Sequence, residues 1–438
     1  MKLAWSDLKL KRKDNNQLLF KQNKMIHYIN NKSFVEGVPL EDIVNSQPTP
    51  FYVYSQTKIV NTFDQLKNLL NSEIFYAVKA NSNQAIIRLM ASLGAGADVV
   101  SVGELQRAIV GGIEPQKIIF EGIGKTKHDI TFAIEKNIRL INIESIDELQ
   151  RINEVAVNQD KIINIGIRLN PNIDGQTIDK ISTGKKTDKF GIDTDNLGEI
   201  FQTLEVCRNV NLIGISCHVG SQIFNIKVFA EIFKKMKTNA QIFLDQGYAI
   251  KHVDLGGGLG VSYNQDQEKL NIQLLKKEID KCYKDVPYKL SFEPGRYLVA
   301  NAGILVTTVI TIKNNGGINY LITDAGMNTL IRPALYQSYH KIESANCINE
   351  QQVNYTVAGP ICESSDIFGK NISLPKQQVG NIIIIKDTGA YGKVMASNYN
   401  SRGLPLEILI KDDKYFVIHK PLSAKEFINQ DKIPDWLA

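Results

Sequence analysis

The sequence is short of several things, and each shortage removes a class of explanation. It contains no run of roughly eighteen apolar residues, so no segment reads as a membrane-spanning helix. No apolar stretch near the N-terminus precedes a small-residue cleavage site, which argues against secretion. Only five cysteines occur in 438 residues: Cys207, Cys217, Cys282, Cys347 and Cys362. They are scattered, odd in number and include no CxxC pair. That speaks against a disulfide framework or a zinc site and for a reducing, cytoplasmic setting. No metal centre is expected, and neither an internal repeat nor a low-complexity tract is visible. The remaining composition, 43% hydrophobic and 22% charged, is that of a soluble globular protein. Its length suits a large barrel with a second domain.

An excess of one charge is also missing from the body of the chain. The formal net charge is +5. Residues 1–24 hold Lys2, Lys9, Lys11, Arg12, Lys13, Lys21 and Lys24 against Asp7 and Asp14, which accounts for the whole excess. The basicity belongs to a tail, so no nucleic-acid partner is expected. Residues 1–24 read as a flexible basic extension. Met25, followed by alternating Ile26-His27-Tyr28-Ile29, is a candidate start of the structured protein or of translation.

What is present is a repeating alternation of strand and helix patterns. Apolar, β-type runs occur at Ile74–Val78, Ala97–Ser101, Lys117–Glu121, Leu140–Glu144, Ile163–Leu169, Leu212–His218, His252–Leu255 and Lys289–Glu293. Amphipathic helical patterns lie between them, such as Ile59–Leu70, Ala85–Leu93, Glu104–Val110 and Ile146–Val155. This is the pattern of a (β/α)8 barrel, with a doubly wound open sheet as the structural rival. A polar insertion, Lys180–Gly191, precedes the sixth strand and reads as a mobile loop over the barrel mouth. Beyond Arg296 the runs Ile304–Ile312, Tyr320–Thr323, Val353–Val357, Asn381–Ile385, Glu407–Ile410 and Tyr415–His419 predict a mostly β domain. The expected division is residues 25–48 as a strand region joining the β domain, 49–298 as the barrel, and 299–438 as the C-terminal β domain. Met25–Phe34 is expected to pair into that domain's sheet.

In a barrel, functional groups stand at the C-terminal ends of strands. Those ends carry Lys79, Ser101 with Glu104, Arg168, His218, Gly256-Gly257-Gly258 and Glu293-Pro294-Gly295-Arg296. A strand-end lysine either reaches solvent or offers its amine to a carbonyl as a Schiff base. The glycine run either makes a tight turn or closes backbone N–H groups on a phosphate. His218 can stack on a planar ring with Ser221 near a phosphate oxygen, and Glu293 either pairs with Arg296 or protonates a pyridine nitrogen. Lysine, phosphate cradle, stacking group and carboxylate together specify pyridoxal 5′-phosphate.

These residues stand in ordered motifs: Thr49-Pro50-Phe51-Tyr52-Val53-Tyr54, Tyr76-Ala77-Val78-Lys79-Ala80-Asn81, Gly96-Ala97-Asp98-Val99-Val100-Ser101-Val102-Gly103-Glu104-Leu105, His218-Val219-Gly220-Ser221-Gln222, Gly256-Gly257-Gly258-Leu259-Gly260 and Glu293-Pro294-Gly295-Arg296. The series resembles the fold-type III pyridoxal-phosphate enzymes, the superfamily of alanine racemase and ornithine decarboxylase, and within it the diaminopimelate decarboxylase branch. The resemblance runs from about Thr49 to Arg402. It implies a homodimer with active sites at the subunit interface. It also implies that Lys79 holds the cofactor, His218 stacks on its ring and Glu293 pairs with the pyridine nitrogen. Ser221, Gly257, Gly258 and the backbone at Gly295 and Arg296 would hold the phosphate region.

The β domain supplies the finer resemblance. Asp324-Ala325-Gly326-Met327-Asn328 leads to Arg332 and Tyr336, similar to that branch's substrate-binding pair. Gly359-Pro360-Ile361-Cys362-Glu363 resembles its cysteine–glutamate loop, which reaches the partner's active site. Asp387-Thr388-Gly389-Ala390-Tyr391-Gly392 resembles its cofactor-contacting tyrosine motif, with Tyr391 also facing substrate. A substrate with amino acid groups at both ends needs a carboxylate receptor, here Arg332 and Arg296, and an ammonium receptor, here Glu363. Ornithine lacks the distal carboxylate and would leave a buried arginine unpaired, at a cost of roughly 2–5 kcal/mol.

The resemblance therefore implies decarboxylation of meso-2,6-diaminopimelate to L-lysine through an external aldimine, with Cys362 returning the proton. The alternatives are a decarboxylase of another two-ended substrate such as carboxynorspermidine, or a non-catalytic pyridoxal-phosphate-binding homologue.

Overall fold

The computed structural model describes residues 25–177, 183–264, 266–346 and 351–437. The basic extension at residues 1–24, the Lys180–Ser182 part of the insertion, and Cys347 lie outside the described residues. The chain divides into two compact units, Phe63–Leu298 and a second formed by the chain up to Thr62 together with Val299–Ala438.

The first unit is a closed barrel. Its strands are Glu73–Ala77, Gly96–Val99, Ile118–Phe120, Leu140–Ile143, Ile163–Asn170, Val210–Ser216, His252–Asp254 and Lys289–Phe292. Each pairs in parallel with its successor. The eighth pairs with the first, placing Ser291 opposite Glu73 and Phe292 opposite Ile74. Closure rules out the open doubly wound sheet. Short polar side chains start the helices on the strands' C-terminal side. Asn83, Ser101, Thr126, Ser145, Asn225 and Asn271 each accept a hydrogen bond from a first-turn N–H.

The period of two along each strand stacks the barrel interior in layers. Phe75, Ile119, Leu140 and Ile213 form an apolar cluster. Two residues further along the same strand faces, Ile119 gives way to Glu121 and Leu140 to Asn142. The Asn142 amide and the Ser216 hydroxyl both donate to Glu121 Oε1. An apolar floor thus changes to a polar layer toward the C-terminal ends.

The described part of the insertion is tied down. Thr183 N–H donates to Val219 O at 3.1 Å and Ile173 N–H to Gly184 O at 2.9 Å. Gly191 N–H reaches Glu144 Oε2 at 2.9 Å.

In the second unit, Gly303–Asn315 is the central strand. It pairs antiparallel with Ile318–Thr323, Ile382–Lys386 and Phe51–Ser55. The last of these also pairs in parallel with Leu406–Lys411, and all five of its residues are buried. A segment read with the barrel thus becomes an inner strand of this sheet, because Phe51-Tyr52-Val53-Tyr54 is apolar on both faces.

Met25–Phe34 takes a different route from the one expected. His27–Ile29, Lys32–Val35 and Val38–Pro39 make a three-stranded sheet of their own. An isolated bridge, Lys32 to Asn346, and the Gly37 N–H to Asp412 O bond link it to the chain beyond. Ile26, Val35 and Val38 nevertheless share one core with Phe51, Val53, Ile304, Ile384 and Ile408. The turn is pinned by Glu36, whose carboxylate accepts from Ser55, Thr57 and the Asp412 N–H.

Ile384 is fully buried in that core. Ile384→Ala should destabilise the unit by about 2–5 kcal/mol, read as a lower urea midpoint at unchanged slope.

Candidate active site

Lys79 stands in a one-turn 3-10 helix, Val78–Ala80, immediately after the first barrel strand. Its Nζ lies 2.5 Å from Oδ2 of Asp98, at the end of the second strand. Asp98 is fully buried, and its Oδ1 has no hydrogen-bond partner among the described residues. The sequence reading missed Asp98 as a site residue. Its only signal was an acid inside an apolar strand. Glu104, by contrast, caps its own helix entrance, accepting from Val100 N–H at 2.9 Å.

Around this pair the barrel holds further buried acids: Glu121, Glu144, Asp254 and Glu293. Arg168 lies inside the fifth strand rather than at its tip. It donates to Glu144 Oε1 at 3.0 Å and stands 4.0 Å from Glu121 Oε2, while its guanidinium lies over the Phe190 ring at 4.9 Å. Asp254 accepts from Ser291 Oγ at 2.5 Å and from Gly256 N–H at 2.7 Å. Acids outnumber the cations around them, which favours retention of protons. Burial raises the Asp254 carboxyl to about 7, against the stabilising bonds it accepts. Burial and then the charges of Asp254, Asp98 and Glu121 push the Glu293 carboxyl well above its usual range. Glu293 Oε1 is buried without a hydrogen-bond partner.

His218 follows the sixth strand. Its Nδ1 accepts from Gly257 N–H at 3.1 Å, which fixes the ring and requires that nitrogen to be unprotonated. Burial, with Arg168 and Lys79 nearby, lowers its affinity for a second proton, so the ring is neutral.

The loop after the seventh strand comes too close to its neighbours for any side chain. A Cβ on Gly257 would stand 2.3 Å from Glu293 O, and one on Gly258 (φ +79°) 2.4 Å from Gly220 O. Gly295 packs against Ala77 and Ala80 of the first strand's end. Arg296 donates through Nε and Nη2 to Ser221 Oγ at 3.3 and 3.2 Å, and through Nη1 to the Tyr263 hydroxyl at 3.0 Å. Lys79, His218, Ser221, Gly257, Gly258, Glu293, Gly295 and Arg296 thus belong to one end of one barrel.

The remaining expected residues are in the other unit. Arg332 opens the short helix Arg332–Tyr336 and is buried. It donates to His340 Nε2 at 3.3 Å and Ser338 Oγ at 3.2 Å, with Tyr336 beneath its guanidinium at 5.9 Å. His340 Nδ1 meets Lys386 O at 2.8 Å, which fixes the tautomer that accepts from Arg332. The sequence offered no signal for His340. Cys362 and Glu363 are exposed on a loop built around Asp366, whose carboxylate accepts from Ile361 and Met327 N–H, each at 2.6 Å. Tyr391 is half-buried at φ 55°, in a turn held by Thr388 N–H to Gly303 O at 2.9 Å.

The barrel end fits pyridoxal phosphate. An orphaned buried carboxyl that keeps a proton suits a ring nitrogen. A neutral imidazole suits the ring face, and a glycine cradle that any Cβ would fill suits a phosphate. Among the described residues no group of acids, histidines and cysteines could hold a metal ion, and no helix is long and apolar enough to cross a membrane. Fold and site together define a pyridoxal-phosphate decarboxylase of the barrel-plus-β class.

Comparison with known proteins agrees. The model of the pyridoxal-binding domain of pyridoxal-dependent decarboxylases matches residues 56–300. The diaminopimelate decarboxylase of Methanocaldococcus jannaschii is 38% identical, over 96% of this chain and 100% of its own. That of Aquifex aeolicus is 36% identical, over 92% and 96%. The Helicobacter pylori enzyme, solved in complex with L-lysine, superposes with a TM-score of 0.86 at 37% identity, covering 89% of this chain and 98% of that one. The chain belongs to the diaminopimelate decarboxylase family.

The raised Asp254 carboxyl has a pH consequence. The folded chain keeps this proton from about pH 4, where an unfolded aspartate releases it, up to about 7. Its contribution to stability is therefore full below the lower value and is lost as pH rises through the upper one. In Asp254→Asn the melting temperature should lose less on going from pH 5 to pH 8 than in the wild type, by circular dichroism. Parallel curves would mean Asp254 is ionised throughout.

Proposed function

We propose that this chain decarboxylates meso-2,6-diaminopimelate to L-lysine and CO2, the closing step of lysine synthesis. The observation that carries this substrate is Arg332: a buried guanidinium that donates to His340 and Ser338 and is backed by Tyr336. Such a group serves a distal carboxylate, which meso-diaminopimelate has and a simple diamine precursor lacks. The names of the relatives support the same choice.

Pyridoxal phosphate, when bound, supplies an electron sink for the pair left at the α-carbon as CO2 departs. Lys79 is its anchoring amine. Asp98, 2.5 Å away, would hold the Lys79 side chain in place toward the cofactor. Glu293 keeps a proton for the ring nitrogen, and His218 lends a neutral aromatic face. Ser221, Gly257, Gly258 and the backbone at Gly295 and Arg296 would hold the phosphate, and Tyr391 would contact the cofactor.

On the substrate side, Arg332, Arg296 and Tyr336 receive the distal carboxylate and Glu363 the distal ammonium. Cys362 returns the proton to the α-carbon. Cys362 and Glu363 are exposed on their own unit, which supports their service to a second copy in a homodimer. Residues 63–298 then carry most of the cofactor site and 299–438, with 25–62, the specificity. A cytoplasmic location is part of this reading. Cys207, Cys217, Cys282 and Cys362 are all free thiols.

Purified protein with added pyridoxal phosphate should release L-lysine from meso-diaminopimelate, measured by chromatography. Lys79→Ala should lose both this turnover and the yellow absorbance of the bound cofactor; retained absorbance would place the anchor elsewhere. Arg332→Gln should raise KM for meso-diaminopimelate about 30-fold or more, with a smaller change in kcat. A normal KM would remove Arg332 from the distal site.

A further inference from the structure

The loop that carries Cys362 and Glu363 is gripped from outside by two consecutive residues with no role in the site as described. The Tyr399 hydroxyl donates to Glu363 Oε1 at 2.6 Å. Cys362 N–H donates to Asn400 Oδ1 at 3.0 Å. Asn400 and Ser401 both hold left-handed backbone, φ 56° and 53°, which costs free energy at a non-glycine residue unless the surroundings enforce it. Tyr399 is 44% exposed, so burial does not explain its position. Its bond to Glu363 pushes the phenol above its usual range and keeps it the donor. Four neighbouring groups, all exposed, are therefore ordered by one another.

We infer that Tyr399 and Asn400 are positioning residues for the substrate: Tyr399 sets the ammonium receptor Glu363, and Asn400 sets the backbone register of the proton donor Cys362. The inference rests on the roles proposed above for Cys362 and Glu363. A hydroxyl bound to Oε1 leaves Oε2 as the acceptor for the substrate's distal ammonium, so Tyr399 acts on binding. An acceptor on the Cys362 N–H fixes where the thiol stands without touching the distal end, so Asn400 acts on turnover.

The two effects separate in kinetics. Tyr399→Phe should raise KM for meso-diaminopimelate about tenfold and weaken L-lysine binding in calorimetry by a similar factor, with kcat within about twofold. Asn400→Gly, which keeps the left-handed backbone and removes the acceptor, should lower kcat about tenfold at nearly constant KM. Asn400→Asp retains the acceptor and should restore kcat. Melting temperature and cofactor absorbance at wild-type values establish that each variant is folded.

Double-mutant cycles then distinguish positioning from general damage. Tyr399→Phe added to Glu363→Gln, and Asn400→Gly added to Cys362→Ala, should each produce less than about a twofold further change. Fully additive effects, or silent Tyr399 and Asn400 variants beside impaired Glu363→Gln and Cys362→Ala, overturn the inference while leaving the site reading intact. Wild-type kinetics in Glu363→Gln and Cys362→Ala overturn the site reading and the inference with it.

Discussion

Crowding of carboxyl groups is the constraint from which the barrel end takes its chemistry. Asp98, Glu121, Glu144, Asp254 and Glu293 are buried together, with Arg168 enclosed among them. Ionising all of them in a poorly solvated interior is prohibitive, so some keep protons. Burial and neighbouring acids raise the Glu293 and Asp254 carboxyls toward the protonated form. The same crowding gives Lys79 a reason to point inward, since Asp98 offers its ammonium a partner at 2.5 Å. One electrostatic condition thus accounts for both a carboxyl raised toward its protonated form and an inward-pointing lysine.

Neutral groups complete the arrangement where charge would be harmful. A protonated His218 would place a cation beside Lys79 and Arg168 and would lose the Gly257 N–H as a donor to Nδ1. Arg332 follows the same logic in the other unit. It donates to a histidine and a serine, which fix the orientation of its guanidinium.

Much of this was legible from residue types. Eight apolar strand runs at regular spacing gave the barrel, because parallel strands are buried on both faces and show as continuous hydrophobic segments. The strand-end lysine, histidine, glycines and glutamate were legible for a related reason: polar or flexible residues at one end of such strands have no packing role. Asp98 was not, since an acid beside Ala97 and Val99 differs from a structural aspartate only through the partner it meets in space. His340 and Tyr399 were hidden likewise, because their bonding partners lie 8 and 36 residues away and no periodicity links them. Phe51–Ser55 misled because its sequence neighbours enter the barrel unit, whereas its hydrogen bonds go to Gly303–Asn315 and Leu406–Lys411. Covalent proximity says little about strand pairing.

The two units divide the chemistry by what each can hold rigidly. Retained protons and a glycine cradle need a closed, water-poor interior, and a barrel built on an apolar floor supplies one. Discrimination between substrate ends needs groups that meet the ligand from outside, and exposed loops ordinarily lose their order for lack of burial. Here the loop is held by polar bonds instead. Asp366 gathers the Ile361 and Met327 N–H groups from within, and Tyr399 with Asn400 grips Glu363 and Cys362 from without. Ordering an exposed cysteine and glutamate so closely costs conformational entropy that no contact within the unit's core returns. On the function proposed above, that expenditure is returned when the ordered surface meets a substrate held by another copy of the chain.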